Sequence, residues 1–175
     1  MQGALTYIPY YIYKANNWYQ KKQQILNCID FSLLKRQEMN AFETDLHDTN
    51  NSYRDSFLEI FSQEMQEFGK EIGVDSFTVE KIWTVEYKKN DFHDAHTHSR
   101  SNFTGILYLD FIPQEHSPTF FIFNQIDPIT KKTLINYPRD IDEGDILIVP
   151  SDLLHYTRPN TSNLSKRVVS FDIIF

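Results

Sequence analysis

Phe77-Thr78-Val79-Glu80-Lys81-Ile82-Trp83-Thr84-Val85-Glu86-Tyr87 reads as a β-strand with one buried face. Phe77, Val79, Trp83, Val85 and Tyr87 alternate with Thr78, Glu80, Thr84 and Glu86, and a strand sends successive side chains to opposite sides. The stretch before it has a different period. Phe57, Ile60, Phe61, Met65, Phe68 and Ile72 recur at three- and four-residue steps, an apolar helical stripe. The spacing predicts a helix from Ser52 to Ile72, with Gly73 as the residue that ends it. The change of period near Gly73 therefore divides the chain into helical support and a β-rich remainder.

Working outward, Thr104–Phe111 is almost wholly apolar, as expected of a strand covered on both sides. Further strands are predicted at Thr119–Asn124, Lys132–Tyr137, Asp145–Val149, Leu154–Arg158 and Lys166–Phe175, separated by turns rich in Pro, Asp, Gly and Asn. Towards the N-terminus, Leu5–Tyr13 is β-prone, Asn16 or Asn17 can open a helix through Cys28, and Glu43–Asn51 reads as a polar loop. Seven or eight strands after a helical layer predict a mainly β fold, a closed or two-sheet barrel with helices packed outside. One domain is expected over residues 1–175, with support in 1–75 and the β core in 76–175.

Composition narrows the function. The 175 residues are 41% hydrophobic and 15% aromatic, which suits an ordered core. A formal net charge of -7 argues against nucleic acid or an anionic membrane as the main partner. Cys28 is the only cysteine, so neither an internal disulfide nor a thiolate zinc cluster can form. No signal-like leader or membrane-length apolar run is visible, and a cytoplasmic setting is expected.

The chemistry lies in His96-Thr97-His98 and the distant His155. Residues i and i+2 of an extended segment share a face, so imidazoles 96 and 98 can grip one ion and His155 can complete a facial triad. His155 follows a Gly144 turn, the apolar run Ile146–Val149 and the Pro150-Ser151 corner. His93, Asp94, Arg100 and Asn102 flank the pair as candidates for orienting an imidazole or meeting substrate. His47 and His116 lie in polar loops and receive no role.

Trp83, Tyr87, His96-Thr97-His98, Thr104-Gly105-Ile106-Leu107-Tyr108-Leu109, Gly144-Asp145, Pro150-Ser151, Leu153-Leu154-His155, Pro159 and Arg167 before Ser170-Phe171-Asp172 together resemble the Fe(II)- and 2-oxoglutarate-dependent dioxygenases. The similarity is to bacterial and phage oxygenases related to the prolyl hydroxylases, and it covers about residues 76 to 175. It implies a double-stranded β-helix (a jelly-roll or cupin-like barrel) and a hydroxylase acting on an unknown substrate in a bacterial or phage-infected cell. It also implies metal ligation by His96, His98 and His155, and co-substrate binding by Tyr108 and a basic residue of the last strand. Arg167 is preferred over Lys166, because a guanidinium fork fits a carboxylate. Ascorbate is an optional reductant. Two other readings stay open: a cupin-type three-histidine metalloenzyme that does not use 2-oxoglutarate, and a non-catalytic β-barrel binding module. Substrate and oligomeric state are not legible.

Overall fold

The computed structural model describes residues 8–37, 41–47, 53–98 and 100–175. In chain order the elements are β1 (Tyr11–Lys14), α1 (Trp18–Cys28), β2 (Lys35–Gln37), β3 (Phe42–Thr44), α2 (Arg54–Ile60), α3 (Ser62–Ile72), β4 (Thr78–Tyr87), β5 (His93–His96), β6 (Phe103–Asp110), β7 (Phe120–Ile126), β8 (Thr133–Asn136), β9 (Asp145–Pro150), β10 (His155–Thr157) and β11 (Lys166–Ile174). They form two antiparallel sheets. The larger runs β1-β9-β6-β11-β4-β3-β2 and the smaller β5-β10-β7-β8.

The helices cover one face of the large sheet, as the apolar stripe predicts. Phe57, Phe61, Met65 and Phe68 are buried together with Leu107, Leu109, Ile146, Ile148, Val169, Phe171 and Ile173. Phe68 meets Tyr11, Phe77 and Phe103 edge-on at ring distances of 5.5, 5.7 and 5.2 Å, a favoured aromatic geometry. Glu64, only 2% exposed on α3, is neutralised by Lys21 of α1 at 2.7 Å. That ion pair ties the two helices across their buried flank.

The other face of the large sheet turns toward the small sheet. Trp83, Val85, Ile106, Tyr108, Leu147, Val149 and Val168 pack there with Phe121. The central strands are therefore buried on both sides. β4 was expected to bury one face, yet Thr84 is 0% exposed and Glu86 7%. Both polar groups are satisfied beneath their cover: Thr84 shares a 2.9 Å hydrogen bond with Tyr53, and Glu86 accepts one from Arg167. A bulge between the partners of Asp172 and Ile173 also shifts the phase of β4 before Ile82.

Two local expectations change. The single long helix bends at Phe61, although the bonds Phe61 N–H to Phe57 O (2.9 Å) and Met65 N–H to Phe61 O (3.0 Å) carry the ladder across. Ser52, its expected start, lies outside the described residues, as do residues 5–7 of the first predicted strand. The predicted loop at Glu43 instead begins in β3, which pairs Glu43 with Glu86 and Thr44 with Val85. Lys88 takes the Glu43 carboxylate at 2.6 Å while Arg167 takes Glu86, so the facing acids do not clash. Gly73 closes α3 at φ 74, as predicted. Gly105 is required by close approach: a Cβ there would lie 2.1 Å from the Phe171 ring.

Candidate metal centre

Register places His96 and His155 side by side. His155 of β10 is the antiparallel partner of His96 on β5. His98 lies just past the end of β5, where its N–H donates to the Ser151 carbonyl at 2.8 Å. The Ser151 hydroxyl in turn donates to the Ser101 carbonyl. The Pro150-Ser151 corner thus fixes the segment carrying His98. Trp83 stacks on the His98 ring at 5.5 Å and 19°.

One ring nitrogen from each of His96, His98 and His155 lies within 4.8 Å of the other two. Each Nδ1 has an oxygen partner at 2.8 Å: the Asp94 carbonyl for His96, the Leu153 carbonyl for His155 and the Asp172 carboxylate for His98. An Nδ1–H donated to these acceptors leaves Nε2 with a free lone pair, the tautomer that ligates metal. Burial, with the neighbouring imidazoles, pushes His155 down to about 3; burial also lowers His96. Neutral rings with oriented Nδ1–H groups are the donor chemistry that suits a divalent transition metal.

On one side of the triad is a narrow inner cavity of about 30 Å³, lined also by Tyr87, Thr119, Thr157, Lys166 and Ser170. Lys166 is 2% exposed. Its Nζ donates to the Ser117 carbonyl at 2.8 Å and lies 5.3, 5.8 and 5.9 Å from the ring centres of Tyr87, Tyr108 and Phe111. Among the described residues no carboxylate pairs with it, and burial pushes its ammonium down to about 7. On the other side, a groove of about 410 Å³ opens past Phe42, Lys81, Trp83 and Arg100.

Two of the expected co-substrate residues are placed differently. Arg167 does not line the inner cavity. It shares the helix-covered face with Val169 and Phe171, paired with Glu86 and Asp110 and lying over Phe31 at 4.9 Å. Strand register separates the two basic residues: a one-residue step in β11 exchanges the faces, and Lys166 points inward. Tyr108 is fully buried, its hydroxyl donating to Thr119 Oγ1 and accepting from the Thr119 N–H, both at 3.2 Å. It lies behind Thr119 rather than on the cavity wall.

The flanking candidates also resolve. His93 stacks on His96 at 3.8 Å, and burial pushes it down to about 3. Asp94 orients His96 through its backbone carbonyl, its carboxylate being exposed. Asn102 is structural, accepting from the Phe175 N–H. His116 is buried, its Nδ1 accepting from the Ile112 N–H and its Nε2 facing the Leu164 carbonyl. His47 joins the lining of the groove. Asp172 received no role from the sequence, and Lys166, weighed there second to Arg167, shares with it the polar face of an otherwise apolar strand.

Comparison with known proteins places this geometry in a family. The fold is similar to a Pseudomonas putida prolyl-4-hydroxylase, with 11% identity, a TM-score of 0.61, and coverage of 96% of this chain and 94% of that one. It is similar to the viral collagen prolyl hydroxylase of Paramecium Bursaria Chlorella virus-1, solved as a 2OG complex, at 14% identity, TM-score 0.59, and 94% of each chain. It also resembles HygX of Streptomyces hygroscopicus, solved with nickel and 2-oxoglutarate bound, at 10% identity, TM-score 0.64, and 95% of this chain against 82% of that one. The architecture is thus the double-stranded β-helix of these enzymes. No curated protein matches the sequence significantly. A family model described as "Putative 2OG-Fe(II) oxygenase" matches residues 81–172, which run from within β4 to within β11 and include His96, His98, His155 and Lys166. The chain belongs to the 2OG-Fe(II) oxygenase family.

Proposed function

We propose that His96, His98 and His155 hold Fe(II), and that Lys166 holds the distal carboxylate of 2-oxoglutarate, in an oxygenase acting on a substrate that enters through the Phe42–Trp83 groove. The family supplies the cofactors, and the assignment to residues is our reading. One observation carries it. Lys166 is a buried cation with no carboxylate partner among the described residues, and it lines the same cavity as the triad. A desolvated ammonium without a counter-ion is costly, and an entering dianion removes that cost.

Fe(II), dioxygen and 2-oxoglutarate together supply the oxidation, in which the co-substrate loses CO2 to become succinate while one oxygen atom goes to the substrate. The protein's part is positioning and shielding. The carbonyls of Asp94 and Leu153 fix the rings of His96 and His155. Val85, Ile106 and Val168 keep the cavity wall apolar, which strengthens the pairing of Lys166 with an anion. At about 30 Å³ the inner cavity has room for roughly one water, so a five-carbon oxoacid requires side-chain rearrangement as it enters.

Anaerobic calorimetric titration of 2-oxoglutarate into Fe(II)-loaded protein tests this, followed by succinate production on admitting oxygen. Binding at one equivalent that depends on metal supports the reading. Tight Fe(II) binding without any oxoacid binding would overturn the role of Lys166.

A further inference from the structure

Asp172 stands out among the groups that touch the triad. His96 and His155 each donate Nδ1–H to a backbone carbonyl, whereas His98 donates to a carboxylate, Asp172 Oδ1, at 2.8 Å. Both side chains are nearly buried, at 13% and 12% exposure. His98 is the only cation-capable partner of Asp172 within ion-pair distance among the described residues. Thr104 does not compete: its hydroxyl donates to the Phe171 carbonyl at 3.2 Å and lies 3.5 Å from His98 Nδ1.

We propose that Asp172 supplies, through His98, the negative charge that a carboxylate ligand would bring to the centre. This rests on the metal assignment of the preceding section. Fe(II) sites with open positions commonly combine two histidines with one carboxylate, which leaves a net charge near +1. Three neutral imidazoles leave the full +2 of the ion. A carboxylate hydrogen-bonded to the far nitrogen of one imidazole makes that ring a stronger donor and places the missing charge one ring away from the metal. The surroundings are largely desolvated, so that charge is weakly screened. One strand then serves both ends of the site: Lys166 and Asp172, with Val168 and Ser170 between them, lie on the inward face of β11. Lys166 faces the co-substrate's far carboxylate, and Asp172 backs the metal. Asp172 is a positioning residue and touches no reacting atom.

Metal affinity in the absence of 2-oxoglutarate tests the proposal, read by calorimetric titration of Co(II), and of Fe(II) anaerobically, into metal-free protein. Asp172→Asn keeps the shape and an acceptor oxygen but removes the charge. It should weaken both metals by about 10–100-fold, the usual loss for an outer partner of a ligating histidine, while Asp172→Glu should recover most of the loss. The decisive comparison is the same substitution in a His98→Asp background, where residue 98 is itself anionic. There Asp172→Asn should change affinity by less than about threefold. Wild-type affinity in Asp172→Asn, or an equal loss in both backgrounds, would overturn the proposal, as would a His98→Asp protein that binds no metal. If Asp172→Asn fails to fold, which thermal melting of the metal-free protein reveals, Asp172→Ser takes its place with the same expected outcomes. Wild-type protein that binds no metal would instead remove the triad assignment itself.

Discussion

The two faces of the seven-stranded sheet are equally buried and chemically opposite. The helix-covered face carries Leu107, Leu109, Ile146, Ile148, Val169, Phe171 and Ile173 against an aromatic helical stripe. The face toward the small sheet carries apolar residues too, but interleaved with Thr104, Lys166 and Ser170, which look across the cavity at Thr119 and the histidines. Among the described residues, the first face carries charge at its margin, where Arg167 meets Glu86 and Asp110. The second holds a cation and a carboxylate on a single strand. A strand buried on both sides therefore still sorts its residues, by chemistry rather than by exposure. The polar face of an apolar strand marks the site.

Substitutions that touch one face should leave the other intact. The largest effect expected is on the inner face: His155→Ala, His96→Ala or His98→Ala should lower metal affinity by at least ~100-fold, beyond the loss typical of an outer partner, with thermal melting of the metal-free protein nearly unchanged. Metal analysis of the three purified variants checks this, and unchanged stoichiometry in all three contradicts the triad.

Next comes the helix-covered face. Gly105→Ala should cost about 3 kcal/mol or more in denaturant unfolding, at the upper end of overpacking penalties, because its Cβ would press on Phe171 from 2.1 Å. If any folded Gly105→Ala protein still binds metal at one equivalent, the independence of the two faces is sharpened. A marginal loss of stability would show that the Phe171 ring can withdraw.

A smaller effect separates protonation from shape. Lys166 must carry its proton to pair with a carboxylate, and burial pushes it down to about 7 in the free protein. Below that pH the ammonium is already present. Above it, binding must take up a proton, so 2-oxoglutarate affinity should fall with rising pH, by at most about tenfold per pH unit. Titrations at about pH 6 and about pH 8 measure the fall, and Lys166→Arg, permanently charged, should flatten it. An affinity that rises over this range would contradict the pairing.

The smallest effect belongs to Tyr108. Tyr108→Phe removes a hydroxyl that, among the described residues, is engaged only with Thr119. About 1–2 kcal/mol of stability should be lost, with 2-oxoglutarate affinity within about threefold of wild type. A large loss of affinity would return Tyr108 to the co-substrate site that the family resemblance implies.

Much of this was legible in the chain, for identifiable reasons. Period separated the helical stripe from the strands, and the histidine spacing marked the candidate metal centre, because both signals are local. The β2–β3 hairpin was not legible: two three-residue, largely polar strands exist only by pairing with each other and with β4. Nor was the inward residue of β11, since alternation reveals a face only where one side meets water. Val169, Phe171 and Ile173 against Lys166, Ser170 and Asp172 did offer a cue. In a barrel with a site inside, the polar set faces in. The preference for a guanidinium fork obscured that cue.

In the proposed function, β11 turns Lys166, and not Arg167, toward the bound co-substrate. Anaerobic titration of 2-oxoglutarate into Fe(II)-loaded Lys166→Ala and Arg167→Ala proteins, side by side with wild type, tests it most directly. Lys166→Ala should lose about 100-fold or more in affinity, the effect of truncating one partner of a buried charge pair. Arg167→Ala should stay within about threefold of wild type, with only its pairing to Glu86 and Asp110 lost. The reverse pattern, or unchanged affinity in Lys166→Ala, would contradict it.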